Sequence, residues 1–596
     1  MTQLAPPRPS RASTPPNTPP DKARAAKDHP GRRGMALLII ASMAFSVFAV
    51  RLIDIQVVKG PDLASEALNQ RLRTTELPAT RGSILDTKGA PLAVTVEARD
   101  VTADQTLVTD PVAVGEALGP ILGVEPSVLA NRLTGTKRYM YIAKGLSPKI
   151  WKEIEALRLP GIFSEQTSRR IYPGDSLAAN VVGFVGADGK GLGGLEYGMQ
   201  DLLAGKAGTM TYERGAGGRV ITTSDISGSE ATQGSDIQLT LDRDIQLIAQ
   251  NQIVKQVKAA RADSGTVVVM DPRSGHILAM ATAPTFDANS AAAADDAVRG
   301  NRALSDIYEP GSTSKVMTMA AIVDQGAANV GSAFTVPGQL KRGDKLFHDN
   351  VPHGTWYLTL AGILAKSSNI GTIIAAERIG GRKLHQYLKA FGIGEPTGIN
   401  FPGESAGSVP AYRDWSPTSF PTIAFGQGLS VNSVQAASVF ATIANDGLRV
   451  APQLVQAVVG PDGSVTPAAA PKTTQVVKAS TAKTIRAMLE GVVAEGGTAP
   501  LAAIPGYRVG GKTGTAQVID PNCGCYNGEV IASFIGMAPA DNPQLVVSVS
   551  LVNPRNGRYG GELAAPVFRR VMSYALQVRH IPPTGKTAPR LLLTAG

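Results

Sequence analysis

An uncharged apolar run near the start of the chain limits what its 596 residues can fold into. Residues 34–50 (GMALLIIASMAFSVFAV) hold no charge over 17 positions, and arginines stand at 32 and 33 before the run and at 51 after it. A helix of this length just crosses the hydrocarbon core of a bilayer, and flanking arginines can extend to the interfaces. We therefore predict one transmembrane anchor over residues 34–51.

The charge on either side of this run indicates its orientation. Residues 1–33 hold seven lysines and arginines against two aspartates, a net +5 out of +10 for the whole chain, together with eight prolines. This composition predicts a disordered tail. Its positive charge predicts that the tail lies in the cytoplasm and that the helix is anchored in the cytoplasmic (inner) membrane. The rest is only mildly basic, which argues against nucleic-acid binding. A cleaved signal peptide is the alternative, but the apolar run is long for one.

Three short strings supply the groups of a serine acyl-transfer site, and they are separated by 55 and 145 residues. The strings are Ser312-Thr313-Ser314-Lys315, Ser367-Ser368-Asn369 and Lys512-Thr513-Gly514. A second S-x-N begins at Ser430 and a second S-x-x-K at Ser480, but only the set that starts at Ser312 has all three strings in order. This order identifies Ser312 as the candidate nucleophile.

The residue types fit an activated serine. A serine hydroxyl needs a base within hydrogen-bond reach, and if a helix begins just before Ser312, Lys315 lies one turn further on the same face. Lys315 acts as a base only when neutral, and burial and the charge of Lys512 would both lower its pKa. We expect Ser367 to relay the proton toward the leaving group, and Asn369 to hold both Lys315 and a substrate amide.

The third string is expected to bind the substrate. Gly514 removes a side chain where a peptide would add to an edge strand. Thr513 and Thr515 would bind a substrate carboxylate beside Lys512, and the backbone N–H groups of Ser312 and Thr515 would form an oxyanion hole.

The sequence predicts neither a metal ion nor a cofactor. His348 and His353 are the closest pair of histidines and lack a zinc-like spacing, so we interpret them as loop residues. Cys523 and Cys525 are the only cysteines, and a disulfide between them would close a tight ring. Whether they are oxidised stays open.

The chain beyond the anchor is long enough for two α+β domains. Residues 52–235 alternate short apolar runs with Gly and Pro turns and predict an extended pedestal domain. Residues 236–579 predict a second domain with a central sheet and a helical insertion between Ser312 and about residue 445. One of its strands alternates serine with apolar residues, which predicts a wetter sheet face. A flexible tail is expected over residues 580–596.

Together these strings resemble the class B penicillin-binding proteins, and most closely the division-specific, FtsI-type peptidoglycan transpeptidases. In one departure, Ser314 stands where the family often has an apolar residue. The longer strings that carry the resemblance are Arg81-Gly82 with Asp86 and Gly89, residues 169–174 (RRIYPG), 191–196 (GLGGLE), 299–303 (RGNRA), 308–312 (YEPGS), 424–428 (AFGQG) and 560–566 (GGELAAP).

The resemblance implies a β-lactamase-like antiparallel sheet with a helical subdomain, and a D,D-transpeptidase that works at the division septum. Ser312 would attack the penultimate D-alanine carbonyl of a peptidoglycan stem peptide, release D-alanine and pass the acyl group to an amine of a neighbouring stem. β-Lactams would acylate the same serine. The pedestal has no room for a glycosyltransferase domain, so the resemblance also implies an FtsW-type glycosyltransferase and other division proteins as partners.

Three alternatives differ in the fate of the acylated serine or in the place where the reaction happens. A secreted class A β-lactamase needs a glutamate to activate water, and its usual E-x-x-L-N string is absent after Asn369. A non-catalytic membrane sensor of β-lactams needs cytoplasmic machinery, for which 33 proline-rich residues are too short. An elongation-type transpeptidase, with the same reaction at the side wall, stays open.

Overall fold

The structure is a computed structural model that describes residues 30–213, 227–520, 523 and 525–595. Most of the predicted disordered tail, residues 1–29, lies outside the described residues. The described residues up to Thr75 and within Thr209–Ser229 form one compact unit, called the first unit. The described residues within Glu76–Gly208 and Glu230–Gly596 form the second unit.

The first unit begins with an apolar helix, Pro30–Ile53. The stretch Gly31–Val58 has a mean hydropathy of 2.3, and within the described residues it is the one helical stretch long and apolar enough to cross a membrane. The prediction of a single spanning helix is therefore confirmed in length and composition. The unit continues with a π-helical turn Asp54–Val58, a helix Gly60–Arg71 and a three-stranded sheet ordered Leu72–Leu77, Gly208–Glu213, Ser227–Ser229.

A seven-stranded sheet forms the base of the second unit. Two of its strands, Ile84–Leu85 and Pro91–Ala103, form a hairpin. In the turn between them, the Asp86 carboxylate accepts hydrogen bonds from the N–H groups of Lys88 (2.8 Å) and Ala90 (2.7 Å). In spatial order the strands are Val465–Pro467, Val455–Val459, Asp236–Leu239, Ile84–Leu85, Pro91–Ala103 and Met140–Leu146, with Ile162–Ile171 also paired to Pro91–Ala103.

Three helices pack on the outer part of this sheet around a small apolar core. They are Pro111–Leu122, Pro126–Leu133 and Pro148–Ala156. Near the centre, the fully buried Glu196 carboxylate pairs with Arg81 Nε at 2.6 Å and Arg170 Nε at 2.7 Å. This ion cluster ties the strand Ile162–Ile171 and the segment just before strand Ile84–Leu85 to the short helix Gly194–Gly198. Helix Ala179–Val182 precedes that helix in the chain and helix Gln200–Leu203 follows it.

A second sheet of the second unit has five strands and is antiparallel throughout. It forms the core of the domain that follows residue 235 in the chain. Its strands are β1 (Ser264–Met270), β2 (Ile277–Ala283), β3 (Gly510–Asp520), β4 (Cys525–Ala538) and β5 (Leu545–Val552). Their spatial order is β2-β1-β5-β4-β3, so the first and last strands in sequence pair and no described strand covers the outer edge of β3. The central antiparallel sheet is therefore confirmed.

Helices cover both faces of this sheet: α1 (Arg243–Ala260) and α7 (Ala565–Val578) pack on one face, and α5 (Ser433–Ala444) packs on the other. The remaining helices to which the site refers are α2 (Lys315–Asp324), α3 (Leu360–Lys366), α4 (Asn369–Ala376) and α6 (Ala479–Val493).

Because α5 covers the second face, the expectation of a wetter face was wrong. Ser548 and Ser550 on β5 are only 2–3% exposed. Ser550 and Thr266 are joined by a 2.7 Å hydrogen bond, and Thr266 also bonds Ser433 of α5 at 2.9 Å. The hydroxyls of Ser550, Thr266 and Ser433 thus satisfy one another inside the protein.

The helical insertion between α2 and α5 is present and carries short strands. Its remaining elements are the strands Ala333–Val336, Gln339–Arg342, Lys345–His348 and Trp356–Thr359 and the helices Gly380–Ala390 and Ser419–Ala424. Short helices elsewhere in the domain are Asp296–Arg299, Arg302–Ser305 and Gly560–Leu563, and short strands are Leu448–Val450 and Thr473–Gln475.

The segment for which a flexible tail is expected, residues 580–596, makes defined contacts in its last described part, residues 591–595. Its last part runs alongside the Trp356–Thr359 strand, where Thr359 N–H donates to the Leu593 carbonyl at 3.1 Å and Ala595 N–H to the Tyr357 carbonyl at 3.0 Å. Leu591 and Leu593 pack on the core of the helical subdomain. Alternate leucines of the apolar run at the end of this segment are thus partly removed from water.

Candidate active site

Ser312 lies in a 3₁₀ turn, Gly311–Ser314, that leads directly into α2. The predicted helix start just before Ser312 is thus a turn of 3₁₀ helix followed by an α-helix whose first residue is Lys315. Ser312 is half-buried and lines two cavities, of about 530 and 620 Å³. Lys315 is completely buried behind it.

Ser367 lies at an elbow between α3 and α4. It caps the C-terminus of α3 in the left-handed conformation (φ 59°), while the Ser368 hydroxyl caps α4 by accepting from Gly371 N–H at 2.8 Å. The elbow directs two side chains and one carbonyl toward Lys315 Nζ. This nitrogen lies 2.6 Å from the Ser367 carbonyl, 2.7 Å from Asn369 Oδ1 and 3.3 Å from Ser367 Oγ.

Lys512 reaches the same hydroxyl from the edge strand β3. Its Nζ donates to Ser367 Oγ at 2.9 Å and to the Thr513 carbonyl at 3.1 Å, and its side chain is fully buried. Thr513 Oγ1 is held by Thr498 at 2.8 Å, and Thr515 lines both cavities. A side chain at Gly514 would collide with Ser533 Oγ of the neighbouring strand.

The structure therefore brings all eight predicted residues to one place from three separate parts of the chain. Ser312 and Lys315 come from the start of α2, Ser367 and Asn369 from the elbow, and the other four residues from β3. The two partial copies lie elsewhere: Ser480 is exposed on α6, and Ser430 exchanges backbone hydrogen bonds with Ser408. Neither lines either of the two cavities.

Burial controls the charge of the two lysines. Loss of hydration lowers the pKa of Lys315 from 10.5 to about 7, although the Asp349 carboxylate acts in the opposite direction. Burial, together with the nearby charge of Lys315, also holds the pKa of Lys512 well below its ordinary value. Because both amines are buried and share one hydroxyl, a state in which at least one of them is neutral is favoured near pH 7.

Asp349 is a site residue that the sequence reasoning missed. Its side chain is only 4% exposed and accepts hydrogen bonds from Ser368 Oγ at 2.6 Å, from the N–H of Asn369 and from His353 Nε2 at 3.0 Å. The His353 ring stacks on Trp356 with centroids 3.5 Å apart. Asp349 therefore fixes the elbow from behind, and His353, which the sequence indicated as a loop residue, is packed against it.

A second carboxylate supports the Ser312 turn. Glu309 accepts from Tyr526 Oη at 2.9 Å and from Gly428 N–H at 2.7 Å, and burial raises its pKa. Tyr526 belongs to β4, which starts at Cys525, and the structure pairs Cys525 with Cys523 in a disulfide. Among the described residues, no group of three or more His, Cys, Asp and Glu side chains is placed to hold a metal ion.

Comparison with known proteins gives two family matches. Residues 265–573 match the penicillin binding protein transpeptidase domain, and residues 76–239 match the penicillin-binding protein dimerisation domain. The chain is 37% identical to penicillin-binding protein PbpB of Mycobacterium tuberculosis, over 95% of this chain and 87% of that one. It is 32% identical to peptidoglycan D,D-transpeptidase FtsI of Escherichia coli, over 91% of each chain.

Solved structures show the same similarity. The crystal structure of penicillin binding protein 3 from Mycobacterium tuberculosis, complexed with aztreonam, superposes with a TM-score of 0.70 at 34% identity. The match covers 88% of this chain and 100% of that chain.

Proposed function

Because this chain belongs to the penicillin-binding proteins that join a dimerisation domain to a transpeptidase domain, we propose that it is a serine D,D-transpeptidase that cross-links peptidoglycan stem peptides. The observation that carries this proposal is the sharing of Ser367 Oγ by Lys315 and Lys512, next to a serine that opens onto two cavities. This arrangement provides a nucleophile, a base that can be neutral, and a relay between two amines.

In the first half-reaction, neutral Lys315 Nζ takes the proton of Ser312 Oγ as the oxygen attacks the penultimate D-alanine carbonyl. The oxyanion that forms accepts hydrogen bonds from the N–H groups of Ser312 and Thr515. When the intermediate collapses, the C–N bond to the terminal D-alanine breaks. Its amine receives the proton from Lys315 through Ser367 Oγ, which leaves an acyl ester on Ser312.

In the second half-reaction, an amine of a neighbouring stem attacks this ester. The amine gives a proton to neutral Lys315, a peptide bond forms, and Ser312 leaves with its proton restored. A β-lactam would go through the first half-reaction only, because ring opening leaves the departing nitrogen attached to the acyl group.

The remaining site residues bind and orient the substrate. Asn369 Oδ1 holds Lys315 at 2.7 Å, and Asn369 Nδ2 donates one hydrogen bond to the His348 carbonyl at 3.1 Å. The second N–H of this amide can donate to a substrate carbonyl. Thr513 and Thr515 flank the cleft beside Lys512 and can hold the carboxylate of the donor peptide. The free edge of β3 is open for the peptide to add as a strand, and the absence of a side chain at Gly514 leaves room for Ser533 and for the turn that carries Ser312.

The proposed setting is the division septum. Residues 1–33 would lie on the cytoplasmic side of the membrane and the catalytic domain on the opposite side. The basic composition of residues 1–33, ahead of a helix long enough to span the membrane, supports this orientation. An FtsW-type glycosyltransferase and other division proteins would be its partners. Similarity to FtsI of Escherichia coli supports septal work over side-wall elongation.

Acylation of full-length protein in detergent tests the nucleophile. Wild type should be labelled covalently by a fluorescent penicillin, Ser312→Ala should lose the label, and Ser480→Ala should keep it as the matched control from the second S-x-x-K string. Labelling of Ser312→Ala at the wild-type level would remove Ser312 from the mechanism.

Depletion in cells tests the setting. Filaments with unfinished septa would support division, whereas rounded cells would favour the elongation-type alternative. A variant with Ser312→Ala should fail to restore division, which would also exclude a purely non-catalytic sensor.

A further inference from the structure

The last described segment, Leu591–Ala595, lies extended along a two-stranded ribbon beside the active site and joins it through one isolated β-bridge. The ribbon pairs Ala333–Val336 with Trp356–Thr359 in antiparallel register. On the other edge of Trp356–Thr359, the segment adds two backbone hydrogen bonds and an antiparallel bridge between Leu358 and Thr594. We call the segment Leu591–Ala595 the closing strand.

The closing strand contacts the start of α3 at the residue that caps this helix. Thr359 Oγ1 accepts from Gly362 N–H at 3.0 Å, which is the N-cap bond, and donates its own proton to the Leu592 carbonyl at 2.6 Å. The same hydroxyl thus joins the first turn of α3 to the closing strand. Since α3 spans only Leu360–Lys366, its other end is the elbow at Ser367.

Packing fits the closing strand closely against α3 and α6. A side chain at Gly362 would collide with the Leu593 carbonyl oxygen. At Gly491 of α6, in contrast, an added Cβ would meet Leu593 Cδ2 at 3.8 Å, an ordinary contact distance. Side chains alternate along the strand: Leu591 and Leu593 pack on the core, whereas Leu592 is 81% exposed.

We propose that the closing strand is a positioning element for the reaction, which holds α3 so that Ser367 stays between the two lysines. A two-turn helix has little stability of its own, and Ser367 must keep distances of 2.6–3.3 Å to Lys315 and Lys512 at once. The closing strand supplies that restraint through Thr359 at one end of α3, which fixes Ser367 at the other end, and it does so without touching the substrate. The proposal rests on the proposed function of Ser367.

The consequence is a loss in the chemical step rather than in binding. A small displacement of a reacting group lowers rates by about tenfold to a hundredfold, whereas the cavities and β3 keep their affinity for the ligand. Removing the closing strand should therefore slow acylation with little change in the dissociation constant of the non-covalent penicillin complex.

The experiment measures both constants by stopped-flow acylation of the full chain in detergent with a fluorescent penicillin. A shortened variant that stops after Pro589 should acylate about tenfold to a hundredfold more slowly, with its dissociation constant changed less than about twofold. A synthetic peptide of residues 590–596 (RLLLTAG), added in excess, should restore the rate.

Point variants separate positioning from folding. Leu593→Ala should slow acylation, and Leu592→Ala should not, because the Leu593 side chain packs on the core whereas the Leu592 side chain is exposed. Gly362→Ala should slow acylation in the full chain but have no further effect in the shortened one, where the carbonyl it would meet is gone. Gly491→Ala, which has room, should acylate like wild type.

Wild-type rates in the shortened variant, a rate that the peptide does not restore, or equal losses in Leu592→Ala and Leu593→Ala would each overturn the proposal. These outcomes differ from failure of the proposed function, in which wild type itself would not be acylated at Ser312.

Discussion

Acylation by this protein should depend on pH with a midpoint near 7. The pKa of buried Lys315 is about 7, and only its neutral form can accept the Ser312 proton. The neutral fraction is then about one in eleven at pH 6 and about ten in eleven at pH 8. The second-order rate constant for a β-lactam should therefore rise about tenfold over this range and level off above it.

The assay is the rate of covalent labelling by a fluorescent penicillin, measured on the full chain in detergent from pH 5.5 to 9. Hydrolysis of the free reagent is subtracted with the Ser312→Ala variant. Lys315→Arg is the matched comparison, since a guanidinium group stays charged throughout this range. It should lower the rate by about a hundredfold or more and remove the step near pH 7.

Two results would refute this reasoning. One is a wild-type rate that changes less than about twofold between pH 6 and 8, because Lys315 would then not be the titrating base. The other is a step of the same size and midpoint in Lys315→Arg. Stability gives an independent check with a defined sign. Since the pKa is 10.5 in the unfolded chain and about 7 in the folded one, this lysine makes the free energy of unfolding rise with pH between those values.

Two further predictions concern stability. Ser314 has a buried hydroxyl without a hydrogen-bond partner in the described structure, so Ser314→Ala should raise the free energy of unfolding by about 1 kcal/mol, measured by thermal unfolding, with acylation unchanged; lower stability would contradict this. Glu196→Gln should lower the free energy of unfolding by about 3–5 kcal/mol, because Arg81 and Arg170 would keep buried charges without their carboxylate. A loss below about 1 kcal/mol would show that stability does not depend on this ion cluster.

The sequence predicted the central sheet and the meeting of the three strings because both depend on local signals. Strands β1 and β5 are short, largely apolar runs next to turn residues. What the sequence could not predict was which faces are covered. Ser548 and Ser550 indicated a wet face, but α5, about a hundred residues earlier in the chain, closes over them.

Asp349 and the closing strand share a different reason for having been missed. Each acts through backbone groups: Asp349 through the N–H groups of the elbow, and Leu593 through its carbonyl. A single aspartate in a loop or a leucine in a tail carries no pattern that names its distant partner. Side-chain strings reveal the groups that react, but the contacts that hold those groups in register appear only once the chain is folded.

The second S-x-x-K string shows what such a string leaves out. Ser480 and Lys483 stand at the same spacing on α6 as Ser312 and Lys315 do at the start of α2, yet both are exposed, whereas Lys315 is fully buried. Burial removes water from the Lys315 ammonium group, and the resulting lower pKa favours the neutral amine that a proton acceptor requires. Spacing places a lysine beside a serine, but only burial by α3, α4 and β3 can make that lysine a base. Those elements come from chain segments more than 40 residues further on, and for this reason the order of all three strings identifies the nucleophile where a single string does not.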